Sequence, residues 1–363
     1  MPSRDLYWMT KAIEEARYGL GLTSPNPVVG AVLCDRGQLL AKGHHARAGS
    51  RHAEIECLRH LNSKVPLTAT LYVTLEPCST KGRTGRCTDA IVAAGVRRVV
   101  VGAIDPNPEH EGRGIEVLRG EGIEVVAGIL ADECTRLNES YNKWIRTGLP
   151  FVIAKCGMSL DGRLTRPPGE SPWLTGVAAR KQSHQLRAHV DAVLIGAETL
   201  RTDNPRLTAR GIRGARQPWR VILSRSGRLP RESHVFRDAF AAKTLVLKGL
   251  SLPQALEELG RREITSVLIE GGGDILGQAA DAGLIDKVHL YLAPLFTGGP
   301  IVAYAGNGAD STSSAARLDR VGYEQIGSDV CVTGYPLFPG NANNAGNFPS
   351  KREFNQQLTK ETK

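Results

Sequence analysis

The sequence predicts an α/β protein with two domains. Short apolar segments typical of buried strands alternate with segments at helical spacing along most of the chain, as in sheets covered by helices. The length of 363 residues is enough for two ordinary domains. A turn-like stretch at 147–150 separates two runs of such elements, so the predicted domains are residues 1–147 and 150–337.

In the first domain, each element is assigned from its apolar period and its flanking residues. Helices are predicted at 5–20, 52–61, 87–95, 112–121 and 131–147, and strands at 28–34, 70–78, 97–104 and 123–127. On this assignment His52, Cys78 and Cys87 lie at or near helix starts. Unpaired N–H groups at such positions favour a thiolate over a thiol.

The second domain continues the alternation from Phe151, where a strand runs into a tight turn. Further buried strands are predicted within 191–200, 219–224, 243–247, 265–270 and 287–296, and helices at 177–190 and 275–282. Residues 339–363 are polar, rich in asparagine and without periodicity. This tail is therefore expected to be disordered.

Composition favours a globular protein of the cytoplasm. No stretch approaches 18 apolar residues, so no membrane span is expected. The first twenty residues mix acids and bases without an apolar core, which argues against a secretory signal. Seven cysteines, an odd number scattered along the chain, suit a reducing compartment, with some on a metal and the rest buried.

The positive charge is local. The net charge is +9, but residues 1–150 carry 19 Lys and Arg against 17 Asp and Glu. Residues 201–237 contain ten arginines. A guanidinium matches phosphate oxygens, so this cluster suits phosphate-bearing small molecules, although a solvated basic loop also accounts for it. The near-balanced first domain counts against a nucleic-acid partner.

The most specific feature is a histidine followed by two cysteines at long spacing. His52, Cys78 and Cys87 offer one imidazole and two thiolates, which suit zinc and leave a fourth position open. Glu54, two residues after the histidine, is not needed as a ligand and is suited to move protons. The pattern H-x-E…P-C…C is typical of zinc-dependent nucleobase deaminases. The sequence therefore predicts hydrolytic removal of an amino group, with Glu54 carrying protons to the ring and to the leaving amine.

Two further polar residues precede this motif. Asn26 lies between two prolines, and His45 lies in a later loop. Either side chain is suited to contact the base or the sugar, and an ordinary turn role fits each of them equally well.

The first domain, from about residue 5 to 147, resembles the deaminase domain of the bifunctional riboflavin biosynthesis proteins. The matching strings are PNPVVGAV, GHHARAGSRHAE, VTLEPCS, GRTGRC and DPNPEHEGRGI. The wide C-x8-C spacing is that of this family, whereas other deaminases use P-C-x-x-C. This sequence departs from the family at Thr80-Lys81 and Gly85-Arg86, in the loop between the cysteines. The resemblance implies a cytidine-deaminase-like three-layer fold.

The second domain carries strings of the same family. They are KCGMSLDGR, SPW, DNPRLTAR and IEGGGD. A glycine run before a helix lets backbone amides approach a phosphate, although a plain connector fits it too. No G-x-G-x-x-G is present, so a Rossmann site is not indicated. Together these strings resemble the family's reductase domain, which implies a dihydrofolate-reductase-like α/β fold and NADPH as cofactor.

The resemblance also implies roles for individual residues of the second domain. The implied substrate contacts are Ser171, Arg187, Leu207, Arg210 and Glu270. The implied cofactor contacts are Gly157, Trp173, Thr199, Asp203, Gly272, Gly273, Asp274, Ile275, Leu276, Gly277 and Gln278. Of the substrate contacts, the two arginines suit a sugar phosphate. Where the family often has Asp-Ser or Asp-Thr, this chain has Ser224-Arg225, and Arg225 is a candidate for the 2′-phosphate of NADPH.

The combined interpretation is a bifunctional enzyme that deaminates a phosphorylated pyrimidine and then reduces its ribosyl group with NADPH. The resemblance also implies a homo-oligomer formed through the reductase domain. One alternative is a transfer-RNA-type base deaminase with a non-reductase second domain. Others are a non-catalytic zinc scaffold, against which Glu54 argues, and a chain with one inactive domain.

Overall fold

Two units, each built around one mixed β-sheet, make up the chain. The computed structural model describes residues 4–61, 63–80, 85–165 and 173–339, and it divides at Arg146 and Thr147. Within these ranges no helix combines the length and the apolar character needed to cross a membrane.

The first unit contains a sheet in the strand order β2-β1-β3-β4-β5. Its strands are β1 (Gly30–Asp35), β2 (Gln38–His44), β3 (Thr70–Leu75), β4 (Arg98–Ala103) and β5 (Glu124–Ala127). Its helices are α1 (Arg4–Ala16), α2 (Ala53–Arg59), α3 (Cys87–Ala93), α4 (Arg113–Gly120), α5 (Ala131–Leu137) and α6 (Glu139–Thr147), with a 3₁₀ turn at Arg17–Gly19. Strand β1 is antiparallel to both of its neighbours, and β3, β4 and β5 are parallel.

Helices cover both faces of this sheet. Alternate residues of β3 point to opposite faces, as expected for a strand. Leu71 and Val73 pack with α2, α3 and α4, whereas Tyr72 packs with α1 and α5. Every residue of β3 is buried, which explains its continuous apolar character. Gly43 lets α2 lie directly on β2, because a Cβ there would come within 2.4 Å of the Cys57 nitrogen.

The second unit contains a longer sheet in the order β12-β13-β11-β6-β10-β7-β8-β9. Its strands are β6 (Phe151–Ser159), β7 (Ala192–Gly196), β8 (Trp219–Ser224), β9 (Thr244–Lys248), β10 (Ser266–Glu270), β11 (Lys287–Ala293), β12 (Arg317–Ile326) and β13 (Asp329–Leu337). Its helices are α7 (Val177–His189), α8 (Ala197–Asp203), α9 (His234–Arg237), α10 (Leu252–Arg261) and α11 (Gly273–Asp281), with a 3₁₀ turn at Ala241–Lys243. Strands β6 to β11 are parallel, and the hairpin β12–β13 adds two antiparallel strands.

Helices α10 and α11 pack on one face of the second sheet, and α7 and α8 lie on the other face. Helix α10 begins at a capping box. The Ser251 hydroxyl accepts a hydrogen bond from the Gln254 backbone N–H, and the Gln254 side-chain oxygen accepts one from the Ser251 backbone N–H. The predicted α/β fold class, with helices on both faces of a sheet, is confirmed in both units.

Some element predictions were wrong. The helix predicted at 131–147 is two helices, because the Asn138 carboxamide bonds the N–H and the C=O of Val28 and the backbone at Asn138 leaves the helical conformation. By contrast, the strand predicted within 191–200 is confirmed as β7, and the end of that stretch begins α8. Cys78 lies in the loop after β3 rather than at a helix start. Of the predicted tail at 339–363, residues 340–363 lie outside the described residues.

Candidate active sites

The first candidate site brings together the three predicted zinc ligands. His52 is the N-cap residue of α2, Cys87 is the first residue of α3, and Cys78 follows the end of β3. The Nδ1 atom of His52 lies 3.2 Å from Cys87 Sγ and 3.5 Å from Cys78 Sγ. All three ligand atoms lie within 4.8 Å of one another.

This cluster fits a zinc ion by its chemistry and its spacing. Zinc binds sulfur at about 2.3 Å and nitrogen at about 2.0–2.1 Å, so a nitrogen and a sulfur ligand at tetrahedral positions lie roughly 3.5–3.6 Å apart. The observed separations of 3.2 and 3.5 Å are close to this. The Cys87 thiol and the His52 imidazole lower the pKa of Cys78 to about 4, which favours the thiolate that a metal requires.

Glu54 lies in the first turn of α2, two residues after His52, and only 3% of it is exposed. Burial, with the nearby Cys78 charge, raises the pKa of its carboxyl to about 7. A carboxyl group with a pKa near neutrality can both accept and release a proton. The buried position beside the ligand cluster therefore suits a proton carrier.

Asn26 and His45 lie together beside the cluster. The Nδ1 atom of His45 lies 2.9 Å from the Arg51 carbonyl oxygen, to which it donates, and the Asn26 amide donates to Nε2 at 3.2 Å. The ring centroids of His45 and His52 are 5.5 Å apart. Because burial lowers the pKa of His45, its imidazole is neutral at pH 7. These two residues therefore form a fixed polar pair next to the predicted ligands.

Glu76 is a further buried residue to which the sequence interpretation gave no role. Its carboxylate accepts the N–H groups of Asp105, Gly112, Gly114 and Ile115 at 2.8–3.3 Å. Glu76, which lies two residues before Cys78, thereby fixes the start of α4 and the segment before that helix. The sequence signal that could have identified Glu76 is an acidic residue placed between a buried strand and the Pro77-Cys78 pair.

The second candidate site lies in the second unit and centres on Arg187 and Glu270. Arg187 on α7 donates from Nε and Nη2 to the two carboxylate oxygens of Glu270 at the end of β10, at 2.5 and 2.8 Å. Lys155 on β6 lies 3.7 Å from the same carboxylate. Lys155 was not predicted, and it meets Glu270 because β6 and β10 pair in parallel with these two residues in register.

Arg210 reaches this cluster through Thr208. Its Nη1 donates to Thr208 Oγ1 at 3.1 Å, and Arg187 Nη1 donates to the Thr208 carbonyl at 3.2 Å. The structure thus brings together three of the predicted substrate contacts. The fourth, Leu207, has its side chain in the hydrophobic core, so any contact from this residue would come from its backbone. Ser171 lies outside the described residues.

The predicted cofactor residues are spread over several elements. Gly157 lies on β6 against Thr175, Asp203 ends α8, and half-exposed Trp173 lies 5.6 Å from the Arg180 guanidinium. The Thr199 hydroxyl accepts the Gly272 N–H at 3.1 Å, which joins α8 to the start of α11.

Two of the predicted cofactor glycines have a packing role. A Cβ at Gly273 would come within 2.0 Å of the Val302 carbonyl, and one at Gly277 would come within 2.4 Å of Ala305. The side chains of Ile275 and Leu276 are buried, whereas Asp274 and Gln278 are exposed. Because only the first-turn N–H groups of a helix lack intrahelical acceptors, a ligand would meet free backbone N–H groups of α11 at its start.

Two family models match the chain. Residues 2–103 match the cytidine and deoxycytidylate deaminase zinc-binding region, and residues 150–332 match the RibD C-terminal domain. The first match contains the histidine and cysteine cluster, and the second contains the Arg187–Glu270 pair.

Curated relatives match over nearly their whole length. A riboflavin biosynthesis protein RibD from Synechocystis is 38% identical, and the alignment covers 90% of this chain and 95% of that protein. The RibD protein of Escherichia coli is 35% identical, with coverage of 91% and 98%.

Solved structures agree. Acinetobacter baumannii RibD has a TM-score of 0.84 at 36% identity and covers 92% of this chain and 99% of its own. A diaminohydroxyphosphoribosylaminopyrimidine deaminase/5-amino-6-(5-phosphoribosylamino)uracil reductase from Thermotoga maritima has a TM-score of 0.81 at 34% identity, with the same coverage. The resemblance found in the sequence is therefore confirmed, and the chain belongs to the RibD family of bifunctional deaminase and reductase proteins in riboflavin biosynthesis.

Proposed function

We propose that the chain catalyses two consecutive steps of riboflavin biosynthesis. The first step is hydrolytic deamination of 2,5-diamino-6-ribosylamino-4(3H)-pyrimidinone 5′-phosphate, and the second is reduction of the ribosyl group to ribityl by NADPH. The observation that carries this proposal is the meeting of His52, Cys78 and Cys87 beside buried Glu54, on a chain that also holds the Arg187–Glu270 site.

In the first unit, His52, Cys78 and Cys87 would hold zinc. Zinc supplies Lewis acidity, which lowers the pKa of water toward neutrality. Glu54 accepts one proton of the attacking water on its carboxylate and passes it to the ring nitrogen, and then carries the proton of the hydroxyl left on the ring carbon to the departing amine. Ammonia leaves, and the ring keeps a carbonyl group. The fixed pair of Asn26 and His45 offers hydrogen bonds that orient the ring or the sugar.

In the second unit, Arg187 and Arg210 would bind the substrate phosphate. The Arg187 charge is shared with Glu270, while no carboxylate among the described residues forms an ion pair with Arg210. An exposed guanidinium without an acidic partner is suited to an anion.

NADPH would lie against the first turn of α11, with Thr199 holding the backbone at Gly272. Reduction of the opened ribosyl group adds a hydride from NADPH to carbon and a proton to the neighbouring heteroatom. Lys155 is the ammonium group of this cluster and is suited to give that proton. The hydride transfer itself depends on positioning of the two partners.

We also propose a cytoplasmic homo-oligomer. None of the seven cysteines forms a disulfide, and all of them lie in the described part of the chain, which suits a reducing compartment. Size measurement by light scattering tests the oligomeric state.

A paired assay on purified protein tests both reactions. Ammonia release is followed with and without NADPH, and NADPH oxidation is followed alongside. The proposal expects ammonia without NADPH and oxidation once NADPH is added. Glu54→Gln should stop ammonia release, yet that variant should still oxidise NADPH when it is given the deaminated intermediate. Ammonia release without any NADPH oxidation would refute the reductase step. If a zinc-loaded protein gave neither signal, the proposed substrate would be refuted.

A further inference from the structure

We infer that Thr208 is the positioning residue that sets the arginines of the reductase site for the substrate phosphate. The inference rests on the proposed function, because it takes Arg187 and Arg210 to be the phosphate ligands. Thr208 does not itself contact the reacting atoms. It acts by holding both guanidinium groups.

The carbonyl of Thr208 accepts two donors from helix α7. Arg187 Nη1 lies 3.2 Å from this oxygen, and His184 Nδ1 lies 3.1 Å from it. The other two donating nitrogens of Arg187, Nε and Nη2, bond Glu270. Carboxylate and carbonyl together therefore fix the plane of the guanidinium on two sides.

The hydroxyl of Thr208 fixes the second arginine. Arg210 Nη1 donates to Oγ1 at 3.1 Å, and only 6% of Thr208 is exposed. Arg210 itself is exposed. A long exposed side chain has many rotamers, and one bond to a buried hydroxyl restricts them.

The backbone around Thr208 is held in place. Leu207 has φ 54°, in the left-handed region that leucine rarely adopts, and its side chain is buried. On the other side, Gln217 accepts from the Ala209 N–H at 2.9 Å and donates to the Ala209 carbonyl at 2.8 Å. The orientation of the Thr208 carbonyl and hydroxyl is therefore set by the fold before any ligand binds.

The charge of this group of side chains fits a phosphate monoester. Arg187, Lys155 and Arg210 contribute three positive charges, and Glu270 contributes one negative charge. His184 stays neutral at pH 7, because burial and the two arginines lower its pKa. The remaining two positive charges match a phosphate monoester, which carries about −1.5 to −2 at neutral pH.

The test compares Thr208→Val with Thr208→Ser. Valine keeps the shape and the carbonyl but loses the hydroxyl, whereas serine keeps the hydroxyl. For Thr208→Val we expect the KM of the phosphorylated substrate and the Ki of inorganic phosphate as a competitor to rise roughly threefold to tenfold, which corresponds to the net contribution of one ordinary hydrogen bond. Both constants should stay near wild type in Thr208→Ser, and the KM of the dephosphorylated substrate should not change.

Controls separate this effect from misfolding. Ammonia release by the first unit and the NADPH dissociation constant should stay unchanged in both variants. Thr312→Val, a matched substitution at an exposed threonine, should behave as wild type. If valine prevents folding, Thr208→Ala replaces it. In an Arg210→Ala background, Thr208→Val should add no further change in the phosphate Ki.

The outcomes distinguish the inference from the proposed function. If Arg210→Ala raises the phosphate Ki and Thr208→Val does not, the inference is wrong and the phosphate site stands. If neither substitution changes the Ki, the phosphate site itself is misassigned and the inference is overturned with it. An equal loss for phosphorylated and dephosphorylated substrates would also overturn the inference.

Discussion

The guanidinium of Arg187 and the carboxylate of Glu270 meet at two points, at 2.5 and 2.8 Å, although 83 residues separate them in the chain. Burial alone would raise the pKa of Glu270, but Arg187 and Lys155 hold it down to about 2. The ion pair is therefore intact at neutral pH.

Glu270→Gln should destabilise the second unit by about 3 kcal/mol, because it leaves Arg187 buried without a counter-charge. The folded pKa of Glu270 lies below its ordinary value of 4.5. The stabilising effect should therefore be complete above that value and disappear as the pH falls toward about 2. Urea unfolding of the wild type and of Glu270→Gln between pH 3 and 8 measures how the stability difference depends on pH. Exposed Glu232→Gln is the control, and a difference that does not shrink in acid would contradict the pair's role.

Removal of the predicted zinc should stop only one of the two reactions. Cys87→Ser should lower the zinc content and abolish ammonia release, and a chelator should do the same to the wild type. Glu54→Gln should keep its zinc and lose deaminase activity by roughly 10²- to 10⁴-fold. Metal analysis and ammonia assays measure both. The reduction of the deaminated intermediate is the internal control, and its loss in Cys87→Ser would argue against independent sites.

Glu76→Gln should loosen the segment before α4. The side-chain NH₂ of the introduced glutamine would face backbone N–H groups whose hydrogen bonds the Glu76 carboxylate now accepts. The expected loss in the free energy of unfolding is about 1.5–3 kcal/mol. Hydrogen exchange should speed up in a peptide covering 105–115 and stay unchanged in one covering β2. Glu121→Gln, at an exposed position, provides the matched control. Unchanged exchange at Gly112 and Gly114 would show that the carboxylate does not hold this segment.

Gly273→Ala should weaken both the second unit and its binding of NADPH. The added Cβ would come within 2.0 Å of the Val302 carbonyl, so α11 or the facing segment must move, at about 1–3 kcal/mol. Gly120→Ala adds the same methyl group at a helix end with open space around it, and it should be neutral or slightly stabilising. Thermal melting and NADPH fluorescence titration compare the two, and equal behaviour would argue against close packing at Gly273.

The sequence was most informative where local pattern decides the structure. Residues 70–75 form strand β3, and this run is largely apolar because all of its residues are buried. The proposed zinc ligands were visible because histidine and cysteine at these spacings are rare in combination, and the structure places them within 4.8 Å of one another.

Contacts between residues far apart in the chain could not be predicted from the sequence. Lys155 meets Glu270 only through the register of two parallel strands 115 residues apart, which no local pattern encodes. Strand β12 was missed because most of its residues are exposed and polar at a sheet edge. The break at Asn138 depends on its bonds to Val28, 110 residues earlier.

The double contact of Arg187 has a consequence for evolution of substrate affinity. An arginine that is already immobilised in the folded protein loses little rotational entropy when a ligand arrives, so binding is stronger for the same contacts. The entropy is lost during folding instead. Substitutions that replace the whole Arg187–Glu270 pair by apolar residues can make this unit more heat-resistant. They would, however, leave an enzyme that binds its substrate less tightly. Selection for affinity should therefore limit how far the thermal stability of this region can rise.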